Sequence, residues 1–229
     1  MTQPGYFTRS EILSQPEAWA AALDVLKSHQ KDVASLMKGG FEQVIFTGCG
    51  SPYYLSLSAA ALWNQQVHHL ARALPSSELW HSPEIAYPGK RPFLLVAVSR
   101  SGETTEIIRA SQLFLENKLG KLLTISCYPG STLSRLGDLN IVLPSGMEES
   151  VAQTRAFSTL FLAANTLVGL QSGHKNLWPA LENLPEICRR LLGVYAPLAA
   201  EIGQDPRFDR FYFLGSGTRY GLASELSLK

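Results

Sequence analysis

The chain has 229 residues, enough for one full domain and part of a second, with a sizeable core. Hydrophobic residues make up 45% and charged residues 17%, a composition that excludes a disordered chain. A formal net charge of +1 offers no basic footprint for nucleic acid and no polybasic patch for a membrane surface.

Residues 1–12 show no apolar run after a basic start, so no signal peptide is expected. Residues 11–38 predict a helix, because Trp19, Ala22, Leu23, Leu26, Val33, Leu36 and Met37 recur near a helical period. Pro16 marks its start and Gly39-Gly40 its end, giving a helical lead-in over 1–40. A rhythm of short apolar runs and helical stretches follows. Strands are expected at 44–47, 68–73, 93–98, 122–126 and 140–143, and helices at 52–66, 103–117, 131–136 and 151–171. Continuous apolar runs alternating with helices indicate a parallel sheet covered on both faces. The expectation is an α/β fold, a flavodoxin-like doubly wound parallel sheet of five strands, over 41–203. The apolar stretch 156–170 is broken by Ser158, Thr159, Asn165 and Thr166, and reads as a buried helix rather than a membrane span.

A further helix is expected at 181–202. After it the opening pattern returns: an apolar run at 211–214, then Gly215, Ser216, Gly217 and Thr218, then a helical stretch over 220–229. This repeats residues 44–53, so 209–229 reads as the beginning of a second copy, and the chain as a fragment that stops within it.

Three cysteines, Cys49, Cys127 and Cys188, stand far apart with no CxxC pair and no Cys/His cluster. Free thiols in a reducing cytoplasm are expected, and no metal site. The five histidines are scattered, without the spacing of a nucleophile system, and read as surface or core residues.

The residues richest in chemistry lie at the ends of expected strands, where doubly wound sheets hold ligands. Ser99, Arg100, Ser101, Gly102, Glu103 and Thr104 follow the strand at 93–98. A phosphate monoester needs several donors converging on its oxygens. Ser99, Ser101 and Thr104 offer hydroxyls, Gly102 permits close backbone approach, and the next helix offers free N–H groups. Helix capping accounts for one serine and Glu103, not for three hydroxyls flanking a glycine. Gly48, Cys49, Gly50, Ser51 and Pro52 form a second strand-to-helix turn. As a dinucleotide fingerprint it fails: Tyr53 stands where the third glycine belongs, and 68–72 carries no acidic residue. No GxxxxGK[ST] loop is present, which disfavours a nucleotide-binding reading. Glu148 and Glu149 precede the helix expected from Val151, with Gln153 near its start. They read equally as first-turn acids or as ligand contacts.

Together these segments resemble the SIS (sugar isomerase) domain family. The resemblance is carried by Glu11-Ile12 with Gln15-Pro16, Cys49-Gly50-Ser51, Ser99 to Thr104, Val151 to Phe157, and Gly215 to Lys229. It implies that Ser99, Ser101 and Thr104 bind the phosphate of a hexose or amino-sugar phosphate, with the Arg100 backbone contributing. Gly50 and Ser51 match the first phosphosugar loop. Val151, Ala152 and Gln153 would line the sugar, with Glu148 a further contact. Pro52 replaces a common Ser or Thr, Arg100 a common Gln, and Gln153 a common Ser, so the identity of the sugar is left open. The resemblance further implies a homodimer, no cofactor, and an aldose/ketose or amino-sugar phosphate isomerase whose catalytic Glu, His and Lys follow Lys229. The alternative is a SIS module that senses a sugar phosphate without catalysis.

Overall fold

The computed structural model describes residues 5–89 and 92–229; the first four residues of the expected lead-in lie outside it. The apolar runs become strands because both of their faces are covered. β1 (Gln43–Gly48) and β3 (Phe93–Ser99) are buried along their whole length. With β2 (Ala71–Pro75), β4 (Gly120–Ser126) and β5 (Leu139–Val142) they form one parallel sheet of order β2-β1-β3-β4-β5. That is the flavodoxin-like order.

Alternate side chains divide between two cores, as a period of two requires. Phe46, Val96 and Ile125 point to one face, Ile45, Leu95 and Leu122 to the other. The first face is covered by α2 (Gln15–Ser28), α3 (Gln30–Met37), α4 (Ser51–Gln66) and α8 (Arg155–Gln171), which contribute Leu26, Val33, Trp63 and Leu160. The second is covered by α5 (Ser76–His81), α6 (Pro83–Ala86) and α7 (Thr105–Glu116), which contribute Leu79, Ala86 and Phe114. Burying a side chain of the Leu or Phe class contributes about 1.5–3 kcal/mol, so these two layers supply most of the favourable term.

Several boundaries differ from the sequence expectation, each for a local reason. The single helix expected over 11–38 is three: α1 (Tyr6–Leu13), α2 and α3. Pro16 in the first turn of α2 lacks the N–H a continuous helix needs, so the break falls at Ser14. At His29 the second break is filled by the ring Nδ1, 2.9 Å from Val25 O. The strand expected at 68–73 starts later, at Ala71, because Asn64 brackets that residue: its amide donates to Ala71 O at 2.9 Å and accepts from Ala71 N at 2.8 Å. The short helix expected at 131–136 is one 3-10 turn, Leu133–Arg135. The helix expected from 151 begins only at Arg155. The stretch expected as 181–202 is α9 (Leu177–Glu182) followed by α10 (Leu184–Gln204).

The strand expected at 211–214 does not form among the described residues. Its four side chains are exposed, Leu214 at 95%. The chain still returns to the body, because α11 (Tyr220–Leu228) lies on α4. Gly221 allows this: a Cβ there would strike the Tyr54 carbonyl and the Ser58 hydroxyl. No helix of the described residues is long and apolar enough to cross a membrane.

Candidate functional site

The strand order reverses direction between β1 and β3, and a crevice opens outside their carboxyl ends. The loops that follow these two strands meet there. After β1, Gly50 takes a φ of 60° and turns the chain into α4. After β3, Gly102 takes a φ of 68°. A side chain at Gly102 would run into Ser131, which packs against it. The 99–104 loop is pinned to its neighbour: Cys127 N donates to Arg100 O at 3.0 Å, and Leu133 N to Gly102 O at 3.0 Å. Glu103 completes the seam, accepting from Thr132 N at 2.6 Å and Thr132 Oγ1 at 2.8 Å.

Within the loop the two serines are oriented by their own backbone. Ser99 Oγ accepts from Gly102 N at 3.1 Å, and Ser101 Oγ accepts from Glu103 N at 3.2 Å. Each hydroxyl is thereby an acceptor toward the loop and keeps its proton to donate elsewhere. Thr104, the N-cap of α7, makes no capping bond through its hydroxyl. The first N–H groups of α7 have no partner within the helix. These groups wall a pocket of about 90 Å³, together with Cys49 and Pro52 from the β1 side and Gln153 from the loop before α8. The side-chain oxygen of Gln153 is buried and has no hydrogen-bond partner.

The pocket thus gathers Ser99, Arg100, Ser101, Thr104 and Gln153 from the residues the sequence singled out. Gly50, Ser51, Glu148, Val151 and Ala152 are not on its wall. Val151 is 92% exposed. Glu148 does not face the pocket, because its carboxylate is turned inward. One oxygen accepts from Thr154 N and Thr154 Oγ1, both at 2.8 Å, and the other lies 3.7 Å from the Arg100 guanidinium. That capture holds Thr154 at φ −127°, which keeps 151–154 out of α8.

Glu148 is one of four charged side chains that fix the 147–154 loop. Arg100 donates to Ser150 O at 3.0 Å and to Val151 O at 3.2 Å. Arg155 donates to Met147 O and to Ser14 Oγ. Glu11, buried in α1, accepts from Glu149 N at 2.6 Å, Ser150 N at 3.2 Å and Ser150 Oγ. The structural part of Glu11 and of the Arg100 side chain was not foreseen. Their partners lie about 139 and 50 residues away, respectively, and no local spacing announces them.

On the β1 side Ser51 accepts from Lys229 Nζ at 3.4 Å, and Lys229 pairs with buried Glu225 at 2.8 Å. Cys49 lies at the pocket with its thiol pKa raised by burial. Cys127, beneath the loops, is pushed up to about 12, by burial and then by the Glu148 charge. No group of three or more His, Cys, Asp or Glu side chains among the described residues is placed to hold a metal ion. A larger groove of about 830 Å³ between α1 and α10 is lined mainly by apolar side chains, with Thr8, Arg9 and Tyr195 among them.

The sequence model of the SIS domain matches residues 41–169. Glutamine–fructose-6-phosphate aminotransferase [isomerizing] of Haemophilus influenzae is 27% identical over 241 residues, covering 98% of this chain and 39% of that protein. The chain therefore spans about two fifths of the length of such relatives. The crystal structure of tagatose-6-phosphate ketose/aldose isomerase from Escherichia coli is similar, with a TM-score of 0.82, 21% identity, and coverage of 98% of this chain and 63% of that one. The C-terminal domain of glucosamine-fructose-6-phosphate aminotransferase from Francisella tularensis gives 0.76 at 22% identity, over 98% of this chain and 67% of that one.

Proposed function

Because the chain belongs to the SIS domain family, we propose that it binds a hexose or amino-sugar 6-phosphate in the 99–104 pocket, as part of an aldose/ketose or amino-sugar phosphate isomerase. The observation that carries this reading is the state of the two serines. Each accepts one hydrogen bond from its own loop, Ser99 from Gly102 N and Ser101 from Glu103 N, which leaves its proton free for the pocket at the N-terminus of a twelve-residue helix. Donors converging at a positive dipole end favour an anion with several acceptor oxygens. A neutral sugar would leave that field unused.

The relatives named above act on fructose 6-phosphate or tagatose 6-phosphate by their names, which supports a phosphorylated ketose as ligand. Free thiols fit a cytoplasmic protein. A homodimer is part of the same reading, supported by the exposed Leu191, Val194 and Leu198 along α10. Light scattering after size exclusion checks it: a monomer at micromolar concentration would remove that part.

A thermal-shift panel tests the binding, using fructose 6-phosphate, glucosamine 6-phosphate, glucose 6-phosphate, free fructose and NAD. A ligand at about a hundred times its Kd adds roughly 2.7 kcal/mol, which raises Tm by a few degrees for a chain of this size. The expected result is a shift with phosphosugars alone, lost in a Ser99→Ala/Ser101→Ala variant. A shift with NAD, or one that survives the double substitution, would sink the reading.

A further inference from the structure

We infer that Gln153 serves the anionic end of the ligand, donating its side-chain NH2 to the phosphate; this deepens, and rests on, the phosphosugar reading above. Buried polar atoms are paired in the great majority of cases. The Gln153 amide oxygen is buried on the pocket wall and has no partner within the protein. The amide is thus unsatisfied as it stands, in a residue that lines the pocket, and is free to turn toward a bound ligand.

The surroundings decide which end of the amide meets the ligand. Ser99 and Ser101 each accept one hydrogen bond from their own loop, from Gly102 N and Glu103 N respectively, and keep the hydroxyl proton to donate into the pocket. The helix end behind Thr104 adds positive potential. On the β1 side Pro52 brings neither a side-chain donor nor a backbone N–H. An amide oxygen turned to a phosphate held by those serines would set acceptor against acceptor. The oxygen and nitrogen of an amide exchange places by a half-turn about the last side-chain bond, and the partners present decide the orientation. With phosphate bound, the NH2 faces it and closes the wall that Pro52 leaves without a donor. The pocket is also small, about 90 Å³, so a group on its wall meets the phosphate before the sugar ring.

Gln153 is well placed to hold such a position. It directly precedes Thr154, whose N–H and hydroxyl are fixed by Glu148. The loop it ends is fixed further back by Glu11 and Arg100.

Isothermal titration of the purified protein with fructose 6-phosphate, and with inorganic phosphate as competitor, tests the assignment. Gln153→Glu keeps the shape and replaces the NH2 by a charged oxygen. It is expected to weaken both ligands by roughly a hundredfold or more, as like charges do at contact. Gln153→Leu removes the donor without adding charge and is expected to weaken both by about ten- to a hundredfold, the range for one hydrogen bond to a charged group. Circular dichroism and an unchanged Tm establish that each variant is folded, and the two variants serve as independent readings. Weakened fructose 6-phosphate binding with inorganic phosphate unchanged would overturn the inference, because the amide would then serve the sugar. Wild-type affinity in Gln153→Glu would overturn it as well. If the wild-type protein binds neither ligand, the phosphosugar reading itself fails and the inference falls with it.

Discussion

The two loops that frame the pocket are held in opposite ways. The 99–104 loop is fixed chiefly by backbone: a glycine at φ 68°, and amides that dictate where two hydroxyls point, with the Glu103 carboxylate closing its outer edge. The 147–154 loop is fixed by side chains, two carboxylates and two guanidiniums, some reaching from far away in the sequence. One loop is built locally and aims donors. The other is assembled by the fold and carries Gln153 to them. Substitutions should therefore fail differently in the two.

The largest effect is expected in the local loop. Gly102→Ala forces an L-residue into the left-handed region and drives its Cβ against Ser131. Strain of this kind costs about 1–3 kcal/mol, and relaxing it would turn Ser99 and Ser101 away from the pocket. Lower Tm together with lost fructose 6-phosphate binding is the expected outcome. An unchanged affinity would mean that the loop does not aim the hydroxyls.

In the assembled loop the effect should be smaller and graded. Glu11→Ala leaves Glu149 N and Ser150 N without their protein acceptor, a net loss of about 0.5–1.5 kcal/mol per hydrogen bond for donors that water still reaches. Glu11→Gln retains an oxygen for both amides and should recover most of that stability. Urea unfolding measures the stabilities, and hydrogen exchange over 148–154 reports the loop. If the alanine variant exchanges no faster there than wild type, α1 does not hold the loop.

The same contrast explains what could be read from the sequence. Ser99, Ser101, Gly102 and Thr104 sit in one hexapeptide at the end of an apolar run, so their joint role is local and legible. Glu148 carries no such sign. Its position before a helix is compatible with a first-turn acid or a ligand contact, and only the fold brings Thr154 and Arg100 to it. The apolar runs at 44–47 and 211–214 make the point for whole elements. The pattern of residues is alike, yet one is a fully buried strand between two neighbours and the other is exposed with no ladder. A strand is a property of its partners as much as of its own side chains. The parallel sheet was legible for the complementary reason: the runs at 44–47, 93–98 and 122–126 are largely apolar, and each has a parallel neighbour in the fold.

A pH titration separates the seam of the local loop from its interior. The Glu103 carboxyl is held below its ordinary value of 4.5, first by the Thr132 backbone N–H and then by the Thr132 hydroxyl. A depressed folded-state pKa contributes stability above the unfolded value, and that contribution is lost as the pH falls through the folded value. The Tm difference between wild type and Glu103→Gln should thus be present at neutral pH and shrink once the pH drops below about 4.5. The carboxylate is exposed, so the difference will be small and reduced by salt. A difference that stays constant down to strong acid would assign the effect to packing instead.

The smallest and most local effect concerns Cys49, the pocket thiol between the two loops. Burial raises its pKa, so at neutral pH little thiolate is present and alkylation by iodoacetamide should be slow. Cys127 and Cys188 are buried, which leaves Cys49 as the thiol most open to reagent. A phosphosugar seated against Ser99 and Ser101 would cover it, so fructose 6-phosphate should slow the labelling further while free fructose should not. Mass spectrometry of the labelled peptide gives the rate at each ligand concentration. Protection by both sugars alike would place the ligand over the thiol without using the serines, and protection by neither would place it elsewhere on the protein. Protection by the phosphate ester alone ties Cys49, from the β1 turn, to the same anion that the 99–104 loop is built to hold.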